Sequence, residues 1–117
     1  MSEHVVRDKS FAFALRVVKL CQHLNAEKKE FVLSKQLLRS GTAIGALVRE
    51  AEQAESKADF IHKMAIALKE AKETEYWLDL LHQSGYVNAT GFASIQPDIV
   101  ELLKLLTAII KTTRART

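Results

Sequence analysis

Residues 36–56 read QLLRSGTAIGALVREAEQAES, and the fold turns on how this stretch is read. Its apolar positions recur at helical spacing, with Leu37, Ser40, Ile44, Leu47/Val48 and Ala51 on one stripe that Leu33 extends upstream. Gly41 and Gly45 sit inside that helix, where each Gly costs about 1 kcal/mol relative to Ala. Their spacing of four places two positions without side chains on one face. Either a neighbouring helix approaches closely there, offsetting the lost propensity by packing, or the glycines mark a kink. The same helix carries Arg39 and Glu50, eleven residues apart and therefore on one face, with Ala43 and Ala46 between them.

Around this second helix, about Val32 to Ala54, three more helices are predicted. The first spans about Ser10 to Leu24, with Phe11, Ala14, Leu15 and Val18 as its buried face. The polar run NAEKKE, residues 25–30, ends it. The third starts at Ser56, with Asp59 three residues on as a capping-box partner, and runs to about Ser84. Gly85 is its left-handed stop. Phe60, Met64, Ala67, Ala71, Leu78 and Leu81 form its core stripe. The fourth runs from about Thr90 to Thr113 on Ile95, Ile99, Leu102, Leu103, Leu106 and Ile110. Pro97 is awkward in that helix if it starts at Thr90 and tolerable if Ser94 caps it. No period-2 alternation predicts a strand. Long helices with short links, in 117 residues with one Pro and four Gly, imply a single all-α domain over residues 1–117. The expected architecture is an antiparallel up-down-up-down four-helix bundle.

The third helix is apolar on a second side. Ile66, Trp77 and Leu80 lie away from the core stripe, where a monomeric bundle should be polar. They are expected to form an oligomer interface, since interfaces favour such anchors. Glu75 falls on the core side and needs a partner or neutralisation. Arg39 is the expected partner of Glu75 or Glu50, so Arg39, Glu50 and Glu75 make up a structural polar layer that sets helix register.

Composition and motifs narrow the function. The single Cys21 excludes an internal disulfide and reads as a buried, inert thiol. Neither a secretory leader nor an apolar run near the ~20 residues of a membrane span is present, so a cytoplasmic location is expected. There is no Gly-rich phosphate loop, no Cys-x-x-Cys pair and no His-Glu-x-x-His motif. Glu75, Asp79 and His82 share a face, but Asp79-x-x-His82 and Asp59-x-x-His62 lie on one helix and lack the Glu of a di-iron bundle. No metal, no cofactor and no catalytic residue is expected; His4 and His23 read as surface residues. The net charge of +3 is mild. Its distribution offers candidate nucleic-acid contacts in two groups, Lys28, Lys29 and Lys35 near the first connection and Lys111, Arg114 and Arg116 at the C-terminal end. An up-down bundle puts these groups at opposite ends. For each cation alone, a solvated face or a complement to the helix dipole is the plainer role.

LSKQLLRSGTAIGALVREA (33–51) and SKADFIHKMAIALKEAKETEYWLDLLHQSGYV (56–87) resemble the four-helix bundle proteins encoded in intervening sequences of bacterial 23S ribosomal RNA genes. The matching positions are Gln36, Leu37, Arg39, Ser40, Ile44, Ala46, Glu50, Asp59, Phe60, Ile61, Glu73, Gly85 and Tyr86. Where that family often has Asn-Ile-Ala-Glu-Gly, this chain has Leu47-Val48-Arg49-Glu50-Ala51. The resemblance implies a homopentamer. That family is also similar to the accessory proteins of diversity-generating retroelements, basic pentameric barrels that engage a reverse transcriptase and nucleic acid. The expectation is therefore a non-enzymatic oligomeric binding module for RNA, DNA or a reverse-transcriptase-like partner, the alternative being a structural adaptor that binds protein alone.

Overall fold

A computed structural model describes residues 2–116, with side chains from His4 to Arg116. Four helices make up nearly all of the described residues: α1 (Ser2–Ala26), α2 (Leu33–Ala51), α3 (Lys57–Gln83) and α4 (Ala89–Ala115). Each packs on the next, and α4 closes back on α1 less extensively than the other pairs meet. Short links force each helix to run antiparallel to its predecessor, giving an up-down-up-down bundle about 50 × 21 × 19 Å.

The core stripes of α2, α3 and α4 follow the expected spacing. Leu37, Ile44, Val48, Ala51, Met64, Ala67, Ala71, Leu78, Leu81, Ile95, Ile99, Leu102 and Leu106 are all buried. On α1 the expected face is wrong. Phe11 and Leu15 are half exposed and Val18 is 36% exposed, while Val6, Ser10, Phe13, Val17, Cys21 and Leu24 face the core. The helix is apolar on both sides, so 3–4 spacing fits either stripe. Only the true one continues unbroken to Leu24.

The glycines of α2 are sites of close approach in an unbroken helix. A Cβ on Gly41 would lie 3.0 Å from both γ carbons of Val17, and one on Gly45 would lie 3.5 Å from the Ser10 carbonyl and hydroxyl oxygens. Helix ends obey local chemistry. The Ser56 hydroxyl accepts the Asp59 N–H at 3.0 Å, while the Asp59 carboxylate reaches back to the Glu55 N–H at 3.3 Å. Gly85 takes φ +91°, with the Tyr86 N–H bonded to the Leu81 carbonyl and the Gly85 N–H to that of His82, a Schellman ending.

α4 starts at Ala89, capped by the Asn88 side chain on the Gly91 N–H, so Pro97 lies inside the helix. Proline supplies no N–H to the turn before it. Arg16 of α1 binds beside this break, its guanidinium donating to the Ser94 carbonyl at 3.0 Å, the Ser94 hydroxyl at 2.6 Å and the Asp98 carboxylate at 2.6 Å.

Candidate functional site

The expected polar layer is assembled differently. Arg39 pairs with neither Glu75 nor Glu50. Its guanidinium spans to α3, donating to Glu70 at 3.2 Å and to Glu73, whose carboxylate also accepts the Trp77 indole N–H at 2.9 Å. That indole and Arg39 together hold the Glu73 carboxyl below its ordinary range, and Glu73 in turn raises the Arg39 guanidinium further. Glu50 instead takes Lys63 at 2.9 Å. Glu75 is half-buried on the other side of α3, seven residues before His82, which stacks on Phe92 of α4. The α2–α3 seam holds a true buried polar contact deeper in, between the hydroxyls of Thr74 and Ser40 at 2.9 Å. Arg39 itself is half exposed, and exposed pairs contribute about 0.2–1 kcal/mol.

Ile66, Trp77 and Leu80 are half-buried on the side of α3 that carries Glu70 and Glu73. Trp77 packs partly against the core and meets Tyr76 edge-on. A second outer apolar strip escaped the sequence reading. Phe11, Leu15 and Val18 lie on successive turns of α1, and Leu38 of α2, 38% exposed, is a further outward-facing apolar residue. Arg49 of α2 stands over the Phe11 ring, 5.4 Å from its centroid. The signal was present as Phe-x-x-x-Leu-x-x-Val, read for the wrong side.

The two basic groups do lie at opposite ends. Lys28, Lys29 and Lys35 are exposed around the α1–α2 connection, where Lys28 and His23 line a depression with Gly85, Tyr86 and Val87 of the α3–α4 turn. Lys111, Arg114 and Arg116 are exposed at the far end, where Lys57 of α3 donates to the Arg116 carbonyl.

Between the basic residues of the first end sits Glu30, only 7% exposed. Its carboxylate accepts the N–H groups of Val32, Leu33 and Ser34 at 2.7–3.0 Å, covering the open end of α2. Burial opposes its charge, but these hydrogen bonds prevail and hold its carboxyl below the ordinary value. An acid just ahead of a helical run was the available sequence cue. Cys21 lies beside it, its Sγ donating to the Ser34 carbonyl at 3.3 Å. Burial, and then the Glu30 charge, push the thiol up to about 11.

His82 is occupied by the Val87 carbonyl at 2.9 Å and by Phe92, so it does not turn to Glu75 and Asp79. Among the described residues, no three His, Cys, Asp or Glu side chains converge as metal ligands. No described helix is long and apolar enough to cross a membrane.

The family model of the 23S rRNA-intervening sequence protein matches residues 2–108. The fold also matches the crystal structure of a protein of unknown function from the S23 ribosomal protein family of Bacteroides thetaiotaomicron VPI-5482. The TM-score is 0.93 and the identity 58%, over 95% of this chain and 99% of that one. No curated protein matches. The chain belongs to the 23S rRNA-intervening sequence protein family.

Proposed function

We propose that this member of the 23S rRNA-intervening sequence protein family is a non-enzymatic oligomeric binding module that engages nucleic acid, alone or beside a nucleic-acid-processing protein. The observation that best supports this is a cationic cluster, Lys28, Lys29 and Lys35, exposed at one end of a bundle whose flanks carry apolar strips. Phe11, Leu15 and Val18 on one flank, and Ile66, Trp77 and Leu80 on another, are surfaces that a second copy would cover. Self-association repeats the cationic end, so contacts that are weak singly become avid. The homopentamer implied by the family resemblance is the assembly we propose. Lys111, Arg114 and Arg116 offer a second, separate set of contacts.

Two measurements test this. Light scattering should give a mass several times that of the chain, and Phe11→Glu with Leu15→Glu should reduce it. Binding of a single-stranded RNA oligomer should weaken steeply with salt, as counterion release requires. Charge reversal at Lys28, Lys29 and Lys35 should weaken it further. A monomeric mass with no salt-dependent binding overturns the proposal.

A further inference from the structure

Along the α1–α4 seam, where these two helices meet least closely, two adjoining depressions form one open groove. Both share Leu20, Val87 and Gly91, and Ile95 extends the apolar floor. The two walls differ in kind. On the opposite side the wall is low at Gly91 and Ser94 of α4 and at Gly85 of the turn before it, with Tyr86, Asn88 and Thr90 between them. On the α1 side Lys19, His23 and Lys28 raise it with long, nitrogen-bearing side chains. Arg16 is already held by Asp98 at 2.6 Å, which leaves Lys19 and Lys28 as the groove's standing charges. Among the described residues, no carboxylate lines either depression.

We infer that this groove docks an amphipathic helical segment of a partner protein whose apolar residues recur at helical spacing and whose acidic residues lie along one flank only. Charge complementarity selects the occupant. A low wall of small residues admits a helix backbone closely, the apolar floor takes its side chains, and the cationic wall faces its carboxylates. Arg16 and His23 are seven residues apart, about 10 Å of helix, so the groove spans about two turns of such a ligand. A nucleic-acid strand would suit it less well. Bases stack on aromatic platforms, and the lining offers two rings, the half-buried Tyr86 and the small His23 imidazole. This inference does not rest on the nucleic-acid reading, with which it shares Lys28 alone.

The test is fluorescence anisotropy on the full chain with a labelled synthetic helix bearing leucines at i, i+4 and i+7 and glutamates on one flank. A second peptide replaces each glutamate with lysine, and an oligouridylate serves as competitor. The acidic peptide should bind about tenfold tighter than the lysine version, and Lys19→Glu with Lys28→Glu should abolish that preference. Thr90→Trp, an exposed change in the groove wall, should weaken the acidic peptide while circular dichroism stays unchanged. Equal binding of the two peptides overturns the inference, as does acidic-peptide binding untouched by these variants. Displacement of the peptide by oligouridylate in the Lys29→Glu, Lys35→Glu variant, whose cationic end is weakened while the groove lining is intact, also overturns it, in favour of a nucleic-acid strand.

Discussion

Gly41 faces Val17 so closely that a Cβ on it would stand 3.0 Å from both Val17 γ carbons, and Val17 is fully buried. A β-branched side chain in a helix has one favoured rotamer, so Val17 has little room to yield. Four residues on, a Cβ at Gly45 would meet Ser10 at an ordinary 3.5 Å. The two glycines should therefore respond oppositely to alanine. Gly45→Ala should stabilise by about 0.5–1 kcal/mol, the propensity gain alone. Gly41→Ala should destabilise by up to about 2 kcal/mol, overpacking exceeding the same gain. Urea unfolding of both at one protein concentration decides it. Equal effects would mean that close packing on Val17 does not constrain Gly41.

Gly85 and Lys29 both adopt left-handed backbone, at φ +91° and +53°. Nothing lies near a Cβ at Gly85, so Gly85→Ala isolates the conformational cost and should lose roughly 1–2 kcal/mol. Lys29 already bears that cost. Lys29→Gly should raise stability by about 0.5 kcal/mol, the relieved strain slightly exceeding the added chain entropy. Thermal or denaturant midpoints moving in the same direction for both variants would contradict this account.

How far the sequence carried the fold differs by helix, and the reason is physical. On α2 and α4 polar residues interrupt the outer faces, and on α3 Glu70 and Glu73 break up its second apolar side, so spacing picks out Ile44, Met64 and Ile99 as core. α1 bears Phe11, Leu15 and Val18 on one side and Phe13, Val17 and Cys21 on another, and periodicity cannot choose between two apolar stripes. The polar layer failed for a related reason. A helical wheel places Glu75 on the core side of α3 and Arg39 on one face of α2 with Glu50, but does not say which neighbour each meets. Arg39 meets Glu70 and Glu73 across the α2–α3 seam, whereas Glu75 shares a side of α3 with His82, toward α4. Arg16 reaches a backbone carbonyl and side chains of α4, 78 to 82 residues away, which no local pattern announces, whereas Glu30 caps the helix just after it, where an acid ahead of a helical run is the one local cue.

Cys21 should behave as an unfolding probe. Its thiol is pushed up to about 11 by burial and by the Glu30 charge, so thiolate is scarce at pH 8 and the sulfur is shielded as well. Native protein should resist iodoacetamide while denatured protein is alkylated readily, with mass spectrometry as the readout. Rapid stoichiometric labelling of the native form would show that the first end of the bundle opens freely.

Glu30 should make stability depend on pH in one direction. Its folded pKa lies below the ordinary 4.5, so the stabilisation is fully present above that value and is lost as pH falls through the depressed folded one. Glu30→Gln retains one acceptor oxygen but loses the charge and its grip on three N–H groups. At pH 7 it should cost about 1–2 kcal/mol, in the range of a lost helix cap. That deficit should shrink as the wild type is acidified below pH 4.5, because protonation imposes the same loss on it. The variant should also lower the Cys21 thiol, since the Glu30 charge helps to raise it. Unfolding free energies of both proteins from pH 7 to 3, with thiol titration at alkaline pH, test the two effects together. A deficit that stays constant with pH would assign Glu30 a packing role in place of an electrostatic one.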